Sequence, residues 1–167
     1  EYVLDTSKIA HEEGIRNIMV SNGYINKEPL RQLCKHIDGA NIDLKSFNDS
    51  TYLKLTGGRL QPVLDSLRTY RDEGVWLEIT HLVVPGWTDK PEEIKQMCGW
   101  LAGNGFKDTP LHFSRFQPQY KLEHLPPTPA GILNRAVEIA RSAGIRYVYM
   151  GNMPGSGFDD TICPSCG

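Results

Sequence analysis

The chain has 167 residues, enough for one ordinary domain with a sizeable core. Apolar residues make up 40%, charged residues 23%, and the formal net charge is −2, a balance that gives no reason to expect nucleic acid or an anionic membrane as a partner. The longest apolar runs are too short to span a bilayer, and no secretory signal pattern opens the chain. Of the four cysteines, Cys34 and Cys98 stand alone in helical patterns, as buried free thiols do, and Cys163 and Cys166 form a CxxC. That usage fits a reducing compartment better than a disulfide framework and predicts a cytoplasmic protein.

In chain order, residues 2–13 carry Tyr2, Val3, Ile9 and Ala10 among charges and end at Gly14, which predicts a helix. Residues 15–20 read as a strand, followed by the polar stretch Ser21, Asn22, Gly23, Tyr24. Residues 27–37 read as a helix with Pro29 in its first turn, where proline is tolerated. Residues 40–45 form a short strand, and a loop with a short helix leads to the breaker Thr56, Gly57, Gly58. Residues 60–73 place Leu60, Val63, Leu64, Leu67 and Tyr70 at helical spacing before Gly74. Residues 75–84 are the most strand-like run, closed by Pro85, Gly86 and Trp87. A helix over 90–103, a strand over 111–116, a proline-bounded loop over 119–127, a helix over 129–143 and a strand over 147–150 complete the pattern. The tail from Gly151 is glycine-rich and aperiodic.

Strands that alternate with helices at this interval predict βα units around a parallel sheet, an α/β fold. Right-handed crossovers then gather the strand C-termini on one rim, with the loops at 21–24, 43–48, 85–89 and 116–121. Residues 1–150 read as a partial (βα) barrel of the TIM type, about five βα units, and 151–167 as a tail carrying the CxxC. The chain opens on a helix that should follow a strand, so it reads as the later part of a larger barrel, a fragment whose first strands are missing.

The stretch Ala40, Asn41, Ile42, Asp43, Leu44, Lys45 stands out. Side chains alternate along a strand, so Asp43 and Lys45 share a face while Ile42 and Leu44 point the other way. In parallel α/β proteins ligands sit at the C-terminal ends of strands. The pair reads either as an acid and a base that hold the polar groups of one small molecule or as an ion pair of structure alone. Cys163 and Cys166, with Pro164 between them and Gly167 after, have metal-knuckle spacing. Two thiolates do not fill a tetrahedral site, so the pair reads as half a site, with a free or redox-active pair as the other possibility and the metal unassigned.

Ser21-Asn22-Gly23-Tyr24, Asp43-Leu44-Lys45 and Val83-Val84-Pro85-Gly86-Trp87-Thr88-Asp89, each after its strand, resemble radical S-adenosylmethionine enzymes. The group most similar is the pyruvate formate-lyase activating enzymes and their relatives. Ser114-Arg115-Phe116-Gln117-Pro118, Tyr120-Lys121, Leu125-Pro126-Pro127-Thr128-Pro129 and the terminal Cys163-Pro164-Ser165-Cys166-Gly167 resemble the radical enzyme of the AmmeMemoRadiSam system. The resemblance covers essentially the whole chain. It implies a partial barrel that binds S-adenosylmethionine and, through a CxxxCxxC loop, a 4Fe–4S cluster. It also implies generation of a 5′-deoxyadenosyl radical for hydrogen abstraction, an electron donor such as flavodoxin or ferredoxin, and a glycyl radical enzyme or other protein substrate. No CxxxCxxC occurs here, so the cluster ligands are expected outside this chain and the fragment alone is expected to be inactive.

The resemblance makes Asp43 and Lys45 contacts to the methionine and ribose of the cofactor. Ser21 and Asn22 become rim donors to the ribose or methionyl carboxylate, unless Asn22-Gly23 is simply a turn. On the long strand Thr80 and His81 point opposite ways; one of them lines the cofactor pocket, and a lone strand histidine is more often a core residue. Gln117 stands where activating enzymes can carry a histidine, sharing a strand face with Arg115. Two other classes stay open: a different (βα)-barrel lyase or aldolase with Lys45 as Schiff-base nucleophile activated by Asp43, and a non-catalytic domain that binds a partner through the rim and the CxxC tail.

Overall fold

The computed structural model describes residues 1–155, 157–158, 160–163 and 165–166. Its elements run α1 (Tyr2–Glu12), β1 (Ile18–Ser21), α2 (Lys27–Cys34), β2 (Gly39–Asp43), α3 (Asp49–Thr56), α4 (Leu60–Asp72) and β3 (Trp76–Val83). They continue with α5 (Pro91–Gly103), β4 (Leu111–Arg115), a 3-10 turn (Tyr120–Leu122), α6 (Ala130–Ser142) and β5 (Val148–Gly151). The strands form one open sheet in the order β1-β2-β3-β4-β5, and the pairs β1–β2 and β4–β5 are parallel. The α/β fold read from the alternation of strands and helices is the one observed. Among the described residues no helix is long and apolar enough to cross a membrane.

By compactness the chain divides into Glu1–Ile79 and Thr80–Gly167. In the first unit α2 packs on α4, each turning its apolar stripe inward: Leu30 and Leu33 on one, Val63, Leu64, Leu67 and Tyr70 on the other. Ala40 and Ile42 of β2, Leu44 just beyond it, and Leu77 and Ile79 of β3 complete this buried core. Burying such an aliphatic side chain contributes about 1.5–3 kcal/mol, which outweighs the modest helix propensities of these short segments. In the second unit α5 packs on α6, joining Ile94, Met97 and Leu101 to Leu133, Ala136, Val137 and Ala140, with Leu111, Phe113, Val148 and Met150 from the strands.

Three local departures from the sequence pattern have physical causes. β1 starts at Ile18 rather than at residue 15, because the Ile15 N–H is donated back to the Ala10 carbonyl at the end of α1. α2 ends at Cys34 rather than at residue 37, where the His36 N–H turns back to the Leu33 carbonyl. The 3-10 turn at Tyr120–Leu122 lies inside a stretch expected to be loop, with Tyr120 at φ 53°, a left-handed conformation that a tyrosine does not signal in sequence.

The lone cysteines are core residues, as expected. Cys34 is 8% exposed and Cys98 fully buried, and burial pushes their thiols up from 9.0 to about 11 and about 12. A maleimide at pH 8, read by mass spectrometry, is therefore expected to leave both unmodified in the native chain and to reach them only in denaturant. The same shifts make folding weaker in alkali. Above pH 9 the unfolded thiols lose protons that the folded ones keep, so stability falls as pH rises through about 9 to 12, by up to about 1.4 kcal/mol per pH unit for each thiol.

Candidate functional site

The first unit carries a charged pair where β2 runs out. The β2 residues Asn41 and Asp43 are half-buried, while Ala40 and Ile42, which alternate with them, are buried. The strand thus turns one face to the helices and leaves the other open, and the burial alternation continues beyond it, with Leu44 buried and Lys45 half-buried. Lys45 Nζ donates to Asp43 Oδ2 at 2.8 Å, with the two side chains 36% and 30% exposed. On the same open face the Asn41 carboxamide nitrogen lies 3.5 Å from Glu78 Oε2 of β3. A carboxamide, two carboxylates and an ammonium thus gather on one patch of sheet.

Next to this stretch, in interaction with the Lys45 backbone, is Tyr52 of α3, 2% exposed. Burial pushes its phenol up to about 12, against a backbone hydrogen bond with Lys45 that works the other way. The phenol is neutral at physiological pH and forms a fixed wall. α3 is held in place by Asn48, whose side chain accepts the Thr51 N–H at its start, and by Gly57, left-handed at φ 74°, at its end. Lys45 and Tyr52 line a cleft of about 350 Å³ with Asn22, Tyr24, Thr56, Gly57 and Gly58.

Ser21 and Asn22 both serve the turn after β1. Ser21 Oγ accepts the Gly23 N–H at 3.2 Å, and Asn22 Oδ1 accepts the Tyr24 N–H at 3.0 Å. In register Ser21 stands beside Ile42, so its side chain belongs to the helix-facing side of the sheet. Asn22 is exposed and reaches the cleft.

In the second unit the alternation along β3 separates Thr80 from His81. His81 is 2% exposed, edge-on to Phe113 with ring centroids 6.1 Å apart, and its Nε2 lies 3.4 Å from the Thr88 carbonyl. It is a core histidine, whereas Thr80 is half-buried on the strand face that also carries Glu78. Thr88 closes the turn after β3 by accepting the Val84 N–H and donating to the Leu82 carbonyl, both at 2.8 Å. Gln117 is exposed beyond the end of β4, while Arg115 donates to the Thr128 carbonyl at 2.9 Å.

Thr128 is the buried clasp of this rim. Its hydroxyl accepts the Phe116 N–H at 2.9 Å and donates to the Val83 carbonyl, joining the ends of β4 and β3. Thr128→Val leaves both backbone groups unpaired and is expected to cost about 1–3 kcal/mol in a denaturant melt, with Thr128→Ser retaining most of the stability. Cys163 and Cys166 are free and exposed. Among the described residues no group of three or more histidine, cysteine or acidic side chains could hold a metal ion.

Sequence reasoning did not single out Asn41, Glu78, Tyr52 or Thr128. Asn41 had a signal, since it lies two residues before Asp43 and so shares its face. Glu78 also had one, as the acidic residue inside the most strand-like run of the chain.

A parallel sheet with an acid–base pair at a strand end now meets what comparison shows. Residues 1–98 match the radical SAM superfamily, and the chain belongs to that superfamily. Over all 167 residues it is 42% identical to an uncharacterized protein of Methanocaldococcus jannaschii, covering 49% of that protein. It is 30% identical over 98 residues, 59% of this chain and 41% of the relative, to the pyruvate formate-lyase-activating enzyme of Clostridium pasteurianum. To the pyruvate formate-lyase 1-activating enzyme of Escherichia coli K12 it is 23% identical over 161 residues, covering 89% of this chain and 65% of the relative. The chain thus spans about half the length of the curated relatives it matches. The fold matches a domain of the pyruvate-formate lyase-activating enzyme of Bacteroides vulgatus with a TM-score of 0.78 at 16% identity, covering 90% of each chain.

Proposed function

We propose that the protein containing this chain is a radical SAM enzyme of the activating type, and that Asp43 and Lys45 hold its S-adenosylmethionine. The observation that carries this reading is the 2.8 Å pair on the open face of β2, at the strand's C-terminal end, in a chain of this superfamily. The donor set fits the cofactor. A zwitterionic amino-acid head and a ribose diol need a cationic donor, a carboxylate acceptor and neutral amide groups. Lys45 offers the first, Asp43 and Glu78 the second and Asn41 the third. Thr80, half-buried on the open strand face, and the exposed Asn22 are the further contacts this reading favours, over His81, which is buried, and Ser21, whose side chain belongs to the helix-facing side of the sheet. Gln117, exposed at the end of its strand, keeps its place as a candidate.

When bound and reduced through a 4Fe–4S cluster, the cofactor supplies one-electron hydrogen-abstraction chemistry. In this reading the cluster ligands lie outside the described residues. The chain's own share is to bind and orient: Asp43 and Lys45 fix the polar end, and the buried Tyr52 walls the cleft beside Lys45. A glycyl radical enzyme is the favoured protein substrate, since relatives of this chain carry that description: one from Methanocaldococcus jannaschii, 29% identical over 102 residues, is named a putative glycyl-radical enzyme activating enzyme. A flavodoxin or ferredoxin would donate the electron, in the cytoplasm.

The test is product analysis. The intact, cluster-loaded protein, reduced anaerobically with S-adenosylmethionine, is expected to release 5′-deoxyadenosine and methionine. A loaded and reduced protein that releases neither contradicts the proposal.

A further inference from the structure

The cleft of about 350 Å³ beside Lys45 reaches past the charged pair, and Tyr24, Thr56, Gly57 and Gly58 in its lining have no task in holding the cofactor. Its shape comes from the end of α3. Gly57 closes that helix at φ 74°, and nothing lies within 4 Å of where its Cβ would stand, so a second main chain can come close to the backbone there. Gly58 follows. A Cβ on it would stand 3.0 Å from the ring of the exposed Tyr24, so the bare backbone is what lets Tyr24 lie against this turn.

The chemistry of the lining is as specific as its shape. A helix leaves its last four carbonyls without intrahelical partners. In α3 the Thr56 hydroxyl caps the Tyr52 carbonyl and the Gly57 N–H caps the Leu53 carbonyl, both at 2.8 Å. The Leu60 N–H, further along, goes to Asp49 Oδ1 instead of back to the helix. Thr56 and Gly57 thus bring carbonyl acceptors to the cleft, and Lys45 brings a donor. The other side chains in the lining, Asn22, Tyr24, Tyr52 and Thr56, carry no charge. A phosphate or carboxylate here would find one cation, already paired with Asp43 at 2.8 Å, and an ammonium would find no acid in the lining. A peptide main chain offers one N–H and one C=O per residue and no charge, which is what the lining complements.

We propose that this cleft holds an uncharged, extended segment of the protein substrate, next to the residue that gives up hydrogen. The inference rests on the reading of Asp43 and Lys45 as cofactor contacts, because Lys45 belongs both to that pair and to the cleft lining. A chain seated in the cleft then runs beside the cofactor. Tyr24 is its main contact surface, a rigid aromatic of the kind that dominates protein interfaces. The carbonyls at the end of α3 accept from its amides.

The experiment is fluorescence polarisation of the intact, cluster-loaded protein with a fluorescein-labelled Ala-Ala-Gly-Ala-Ala peptide. Alongside it, S-adenosylmethionine affinity and release of 5′-deoxyadenosine are measured without peptide. The parent is expected to bind the peptide saturably, Tyr24→Ala and Gly58→Leu to bind it about 5-fold or more weakly, and Tyr24→Phe to retain binding. Replacing the alanines beside the glycine with aspartate or lysine is expected to weaken binding to a similar degree. Cofactor affinity and peptide-free release stay at the parent level in all three variants, and circular dichroism checks their fold. A parent that binds no peptide, variants that bind it as the parent does, or a charged peptide that binds better than the neutral one overturns the proposal. So does a loss of cofactor affinity in the Tyr24 and Gly58 variants, which would place both residues in the cofactor site. The two readings fail separately: peptide binding without 5′-deoxyadenosine contradicts the radical chemistry alone, and 5′-deoxyadenosine without peptide binding contradicts the cleft alone.

Discussion

Asp43→Ala is expected to weaken S-adenosylmethionine binding by about 1–3 kcal/mol, roughly 5- to 150-fold, while leaving the fold nearly as stable as before. The two halves of this expectation have different physical origins. In the free chain the Asp43–Lys45 pair is about one-third exposed, and an ion pair in that setting contributes only about 0–1 kcal/mol. Removing the carboxylate therefore leaves a lysine that water can solvate. Once the cofactor covers the patch, Lys45 loses that water, and the cofactor loses the acceptor for its ammonium or ribose hydroxyl. Calorimetry with the intact protein measures the binding, and a thermal melt measures the stability. Unchanged affinity would remove this strand from the site, and a large loss of stability would make the pair structural.

Gly23→Ala is expected to be the more damaging change to the fold. Gly23 is buried in the turn after β1 with φ 68°, a region that costs an ordinary residue about 1–2 kcal/mol. A Cβ there would stand 2.7 Å from Ile42 Cγ2 and 3.4 Å from Val63 Cγ1, and both neighbours are fully buried. Overpacking of this kind adds about 1–3 kcal/mol, so a total loss of about 2–5 kcal/mol follows. Gly57→Ala is the control: its φ is 74°, but nothing lies within 4 Å of the added methyl, so only the conformational cost applies. Chemical denaturation should rank Gly23→Ala well above Gly57→Ala. Equal losses would mean that the turn relaxes and that Asn22 and Tyr24, on either side, are not rigidly placed on the cleft.

The strands and helices were legible because the sequence carries two clean periods, 3.6 in residues 60–73 and 2 in residues 75–84. The Asp43–Lys45 pair was legible for the same reason. Alternation guarantees that residues two apart in extended chain share a side, and the strand end places them on the rim. Alternation also says that Thr80 and His81 oppose each other, but it does not say which side packs. The burial of His81 against Phe113 depends on a strand thirty residues away. The charge of Glu78, two residues before Thr80, was the local clue that Thr80's side is the open one. Ser21 and Asn22 show the limit of reading polar residues as ligands, since short polar side chains bond their own backbone first. Thr128 was invisible as a clasp because both of its partners, Val83 and Phe116, are distant in sequence.

The most direct test is a crystal structure of the intact protein with S-adenosylmethionine bound. Asp43 and Lys45 are predicted to lie within hydrogen-bond distance of the methionine head or the ribose, with Asn41 and Glu78 on the same face. A cofactor bound elsewhere, with the Asp43–Lys45 pair still closed on itself at 2.8 Å, would contradict the account.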